Sequence, residues 1–169
     1  MAETAAQYVA RMMSHVEGQD GLAVLASTPE RLKALLQATT REDWTRRPGP
    51  GRWSAGEVLA HLADCEVVAG WRVRSILATD GVALQPFDQD AWGRAFKYEN
   101  VDVGEALATF TAGRASLLSL LSRVDPARLE HHGMHAERGK ETIAHLIRLY
   151  AGHDVNHLKQ IEALVQSGT

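Results

Sequence analysis

Apolar positions in this chain recur at three- and four-residue steps almost throughout, which is the period of a helix face. Ala6, Val9, Met12, Met13 and Val16 form one such stripe, and Gly18, Asp20 and Gly21 interrupt it. This predicts a helical arm over about residues 1–26, set outside four core helices. Ser27-Thr28-Pro29-Glu30 reads as the capped start of the first core helix, which Leu32, Leu35 and Leu36 carry to about Thr39. The polar stretch to Gly51, with Pro48 and Pro50, reads as a loop. Ser54-Ala55-Gly56-Glu57 is a capping box before a proline-free helix to about Thr79, whose core face carries Val58, Leu59, Leu62, Cys65, Ala69, Val73, Ile76 and Leu77. A connection over about residues 80–102 then carries Pro86, Phe87, Trp92 and Phe96. Asp102 and Glu105 open a third core helix to about Arg123, with Leu107, Phe110, Leu117, Leu118 and Leu121. Asp125-Pro126 breaks it, residues 131–140 read as a loop, and a last helix runs from about Glu141 to Val165. No segment shows a strand period. The expected fold is all-α: a four-helix bundle with a long crossover between its second and third core helices. One domain, 1–169, is expected, with its core over about 28–165.

The last helix changes this bland picture. Its stripe reads Ile143, Leu146, Tyr150, His153, His157, Ile161 and Leu164, so two imidazoles stand where leucines belong. Residues four apart lie one turn above each other, a spacing that lets both rings meet one cation. His61 is a similar intrusion, three after Val58 and four before Cys65. It lies roughly 10 Å into its helix, and His157 roughly 14 Å from the end of the last one. Antiparallel packing of the two helices would bring the rings to similar heights. The geometry permits a single site without requiring it. One histidine on an apolar face is ordinarily a hydrogen-bonded core residue. Three of them without a shared partner leave several polar groups to satisfy.

Bulk properties narrow the classes. The chain has 169 residues, 45% of them apolar, and a formal net charge of -3, which offers no footprint for nucleic acid or anionic lipid. A single cysteine excludes an internal disulfide and fits a reducing cytoplasm. No signal pattern and no membrane-length apolar run is present, so a cytoplasmic domain is expected.

Two stretches then carry a resemblance. Residues 48–64, PGPGRWSAGEVLAHLAD, and residues 152–161, GHDVNHLKQI, resemble the two signatures of the DinB-like (YfiT-like) metalloenzyme family. The phrase FDQDAW at 87–92 fits as well, and the likeness covers about Thr28 to Val165, leaving out the arm. The resemblance implies a four-helix bundle whose metal ligands match His61, His153 and His157. It implies nickel or zinc as the divalent metal, water completing the coordination, and a homodimer. It also implies a small-molecule substrate handled by hydrolysis, or by transfer or isomerisation through a low-molecular-weight thiol such as bacillithiol, mycothiol or glutathione. A nonenzymatic metal-binding stress protein is the alternative.

Three histidines with open positions suit a catalytic metal more than a closed structural one. Asp64, one turn after His61, is the first candidate for a general base, with a surface or supporting carboxylate as the alternative. Asp154 points about 100° from His153 and reads as a structural hydrogen-bond partner. Gln160, three after His157, either touches the pocket wall or packs. Cys65 shares the face of His61 and could ligate a soft metal, although lone core cysteines are usually inert. His131, His132 and His135 read as loop residues, and His145 as a packing residue. Trp53 reads as a hydrophobic staple. Trp71, Trp92 and Tyr98 are expected in the core, with a cavity wall as the alternative. Arg47 and Arg52 read as solvated loop arginines.

Overall fold

The computed structural model describes residues 3–166, so positions 1–2 and 167–169 of the expected domain lie outside the described residues. Four long helices build the bundle: α2 (Gly21–Ala38), α4 (Ala55–Ala78), α6 (Val103–Leu121) and α7 (Ile143–Gln166). A shorter α1 (Ala5–Ser14) precedes them, and α3 (Arg41–Thr45) and α5 (Gln89–Ala95) sit in the connections. Ser54 and Asp102 cap α4 and α6 as their sequence signatures require, with Glu57 completing the capping box at Ser54.

The first core helix starts earlier than its proline suggests. α2 begins after the Asp20 cap, whose carboxylate accepts from Leu22 N at 3.0 Å, and it runs straight through Pro29. A proline inside a helix frees the carbonyl four residues before it. That carbonyl belongs to Leu25, and Arg114 of α6 donates to it at 2.7 Å. The hydroxyls of Ser27 and Thr28, which look like caps in sequence, bond back to the Val24 carbonyl. A tertiary donor thus keeps the helix going where local sequence rules would start it.

The N-terminal segment expected outside the four core helices lies against them. α1 packs on α7, and Met12 and Val16 are buried in the core. The approach is close enough that a Cβ on Gly152 of α7 would lie 1.9 Å from the Met12 carbonyl oxygen. Gly152→Ala should therefore push α1 off its seat and cost about 3 kcal/mol, the upper range for overpacking. Denaturant unfolding reads the loss, and accelerated proteolysis near residue 18 locates it. An unchanged midpoint would show that α1 is dispensable.

Strands are the other correction. β2 (His132–His135) and β3 (Gly139–Thr142) form an antiparallel hairpin, and β1 (Val82–Leu84) adds to β2 in parallel. These strands have three or four residues each, too short to display a period of two. The supposed loop histidines are strand or strand-flanking residues. His132 pairs with Asp80, and His135 is 3% exposed with Nδ1 accepting from the amides of Glu137 and Arg138. The presumed loop after α2 likewise holds α3, whose Trp44 is fully buried and donates to Thr39 Oγ1 at 2.8 Å.

The apolar core falls into two clusters. One joins α1, the later half of α4 from Ala69 to Ile76 and the early part of α7 from Ile143 to Ala151. The other joins α3, the first half of α4 from Ala55 to Ala63 and the late part of α7 from Leu158 to Val165. Early α4 meeting late α7 means that the two helices run antiparallel. The division falls at Cys65 and Glu66 on α4, at Arg114 on α6, and at His153, Asp154 and His157 on α7. A polar layer thus crosses the middle of the bundle.

Candidate metal centre

Antiparallel packing brings the three histidines together. His61 Nε2 lies 3.2 Å from His153 Nε2, which lies 3.1 Å from His157 Nε2. Two nitrogens bound tetrahedrally at about 2.0–2.1 Å from one ion stand about 3.4 Å apart. Both spacings at His153 come close to that value.

Their hydrogens decide how this cluster can be satisfied. An imidazole nitrogen has one in-plane position, filled by either a hydrogen or a lone pair. His157 Nδ1 donates to Gln160 Oε1 at 2.8 Å, so in the neutral ring its Nε2 carries a lone pair. His153 Nε2 faces two neighbouring nitrogens with one position, and its Nδ1 is buried without a partner. Two ordinary hydrogen bonds cannot be drawn through that central atom. A cation would satisfy all three lone pairs at once, and the donor set fits one.

Electrostatics favour neutral rings. Burial, and then His157 nearby, push the His61 pKa down to about 3. Burial chiefly holds His153 well below the usual imidazole value. His157 is also lowered, mainly by burial, with the Gln160 bond opposing the shift. A folded-state pKa below the unfolded value means that the unfolded chain takes up protons first as pH falls. The stability contributed is full above about pH 6.5 and is lost as pH drops toward 3. Metal-free protein should therefore weaken between pH 7 and pH 4, by up to about 1.4 kcal/mol per pH unit for each histidine. Denaturant midpoints across that range measure it, and His61→Leu should flatten the slope. A flat profile in the unmutated protein would contradict neutral buried rings.

Cys65 completes a second possible donor set. Its Sγ lies 3.5 Å from His61 Nε2, and ligand atoms of His61, Cys65 and His153 all fall within 4.8 Å of one another. Burial pushes the thiol pKa up strongly, with Glu66 and Asp154 adding to it, so the sulfur holds its proton. His157 adjoins this set through His153, with its Nε2 lone pair directed by the Nδ1 bond to Gln160.

A cavity of about 280 Å³ reaches His61, His153 and Cys65, and Tyr8, Arg72 and Tyr150 also border it. Trp53 lies 5.5 Å and Phe87 6.4 Å from the His61 ring, centroid to centroid. Phe87 comes from the crossover, and Trp92 and Phe96 continue the aromatic chain outward. Trp53 is thus a wall of the site as well as a residue beside a helix cap. Tyr98 is buried, as expected, but Trp71 is 71% exposed, and a core role for it is excluded.

Carboxylates near the layer are mostly committed. Glu57 binds Arg47, which is therefore ion-paired and not simply solvated. Arg114, 1% exposed, holds Glu66 through Nε and Nη2 and Asp154 through Nη1 and Nη2, and it spends its last N–H on Leu25. Asp64 is half-buried and accepts from the Tyr98 hydroxyl at 2.5 Å. It borders a separate hollow of about 530 Å³ that does not touch the histidines. Sequence reasoning passed over Arg114, although it stands between Phe110 and Leu117 on the α6 stripe, the same kind of intrusion that exposed the histidines. Arg72 stands similarly beside Val73 and was also missed.

Fold and cluster together define a helical-bundle protein with a candidate metal centre. The DinB superfamily model matches residues 25–161, and the chain belongs to that superfamily. It is 29% identical over 136 residues to a protein of Oceanobacillus iheyensis, covering 80% of this chain and 78% of that one. It is 24% identical over 145 residues to YfiT of Bacillus subtilis, covering 85% and 81%. Both carry the name "Putative metal-dependent hydrolase". The solved structure of YfiT superposes with a TM-score of 0.80 at 22% identity, over 87% of this chain and 85% of that one, and is described as a four-helix bundle of unusual topology.

Proposed function

We propose that the protein is a metal-dependent hydrolase of a small molecule, with His61, His153 and His157 holding a divalent nickel or zinc ion. The observation that supports this reading is that His153 Nε2 stands 3.2 Å from His61 Nε2 and 3.1 Å from His157 Nε2, a central nitrogen unable to serve both neighbours by hydrogen bonds. Such an ion lowers the pKa of a bound water to about 7 and polarises carbonyl groups. The chain supplies the rest. Gln160 fixes the tautomer and orientation of His157. Trp53 and Phe87 wall off the His61 ring. Asp64, the general base expected from sequence, accepts from the Tyr98 hydroxyl and opens on a hollow away from the histidines, which supports a structural carboxylate beside the site rather than a proton acceptor in it.

Protein purified without a histidine tag should contain about one nickel or zinc per chain, and should hydrolyse members of an ester and amide panel only when loaded. Elemental analysis and the same panel after chelation test both points. Turnover that requires bacillithiol, mycothiol or glutathione would replace hydrolysis by thiol transfer or isomerisation. Tight metal binding without turnover would leave a metal-binding stress protein. Absence of metal after reconstitution would end the reading. Size-exclusion chromatography with light scattering tests the homodimer that the family resemblance implies.

A further inference from the structure

The cavity beside the histidines has a chemical sign. Arg72 is 4% exposed, yet among the described residues its guanidinium meets only neutral acceptors. Nη1 donates to the Tyr150 hydroxyl at 3.3 Å and Nη2 to the Gln85 carbonyl at 2.6 Å, while Nε is buried without a partner. The other deeply buried arginine has two carboxylates, and Arg138, which also borders the cavity, has Glu141. Asp88, which borders the neighbouring hollow with Arg72, is engaged as the cap of α5, and the buried carboxylates Glu66, Asp154 and Glu141 are held by Arg114 and Arg138. Among the described residues no carboxylate borders the cavity, while Arg72, Arg138, Tyr8, Tyr150 and Gln89 do. A buried cation is costly unless an anion shares its site. A guanidinium with free N–H groups also matches the paired oxygens of a carboxylate or phosphate.

We infer that Arg72 is the anion-recognition residue of this site, receiving the carboxylate or phosphate oxyanion of an acidic small-molecule substrate whose reacting group then faces the histidines. The inference rests on reading the cavity as the substrate site. An adjoining hollow of about 540 Å³ shares Arg72 and Phe87, is walled largely by Val67, Val68, Trp71, Leu84 and Trp92, and carries one carboxylate, Asp88, which is occupied in capping α5. An apolar body attached to the acid fits there, and this sets the choice of test compounds.

Calorimetry with 4-phenylbutyrate, phenyl phosphate and the neutral 4-phenylbutyramide tests the assignment on metal-free and on nickel-loaded protein. At least one acid should bind about tenfold or more tighter than the amide, without nickel as well as with it; whichever acid binds tighter names the anion. Arg72→Gln should abolish the preference, and Arg72→Lys should retain part of it. Equal binding of acid and amide, no binding of either acid, or a preference that survives Arg72→Gln would overturn the assignment. A preference seen only with nickel would also overturn it, because the ion would then be the anion receptor. If Arg72→Gln does not fold, the acid–amide comparison on metal-free protein and the Arg72→Lys variant still decide. An acid preference in a protein that takes up no nickel or zinc would uphold Arg72 while ending the hydrolase reading.

Discussion

Replacing His153 with alanine should weaken metal binding roughly 10²–10³-fold while leaving the bundle folded. His153 holds the central nitrogen, 3.2 Å from His61 Nε2 and 3.1 Å from His157 Nε2, so its loss leaves a pair of imidazoles with ring centroids 5.1 Å apart. Four-ligand zinc sites bind with apparent free energies of about 10–16 kcal/mol, or about 2.5–4 kcal/mol per ligand. That corresponds to roughly 10²–10³-fold in affinity for each one removed. His61→Ala and His157→Ala should show losses of the same order. Gln160→Ala should cost about 10–100-fold, the usual effect of removing a group that orients a ligand. Cys65→Ser should cost little, because the buried thiol keeps its proton. Competition titration against a chromogenic chelator measures the series. The reverse order, with Cys65→Ser damaging and His157→Ala harmless, would make the donor set His61, Cys65 and His153. Metal affinity unchanged in every variant would remove the site altogether.

Arg114→Met should be the most destabilising single substitution in the polar layer, by about 3–5 kcal/mol, because breaking a buried ion pair from one side strands the other charge. The guanidinium uses all five N–H groups, on Glu66, Asp154 and the Leu25 carbonyl, and rests 4.7 Å from the Phe110 ring centroid. Two carboxylates share this one cation, and burial pushes the Glu66 pKa up. Thermal unfolding should fall by roughly 6–20 °C, at about 2–4 °C per kcal/mol for a chain of this size. The triple variant Arg114→Met, Glu66→Leu, Asp154→Leu should recover most of the loss, since well-packed apolar groups often equal a buried ion cluster. A single variant within 1 kcal/mol of the parent would show that the network carries no net stability. Asp154 follows His153 directly and Glu66 follows Cys65, so the network also holds the register of α4 against α7. The single variant should therefore weaken metal binding too.

Much of this was legible before any coordinates. Helical periodicity located the four core helices, and the caps at Ser54 and Asp102 marked two of their starts to the residue. His61, His153 and His157 stood out because an imidazole on an apolar stripe is an exception to a regular pattern. Arg114 obeyed the same rule and was readable by it. Pro29 misled because its cost is local while its remedy is not: the donor to the Leu25 carbonyl comes from 89 positions away. The three short strands left no period to detect, and β1 is ordered by pairing with β2 far along the chain.

The sequence by itself determined which faces are apolar, where the long helices run, and that polar groups interrupt three of those faces. These follow from side-chain spacing along one helix at a time. Only the tertiary structure decided that the interruptions meet. Antiparallel packing of α4 on α7 sets the heights of His61 and His153, and the Arg114 bonds to both helices hold them there. It also decided that α1 belongs to the core, through a glycine contact that spacing does not encode. Arg72 became an unpaired cation in the same way, because the partners of a buried charge come from the whole fold.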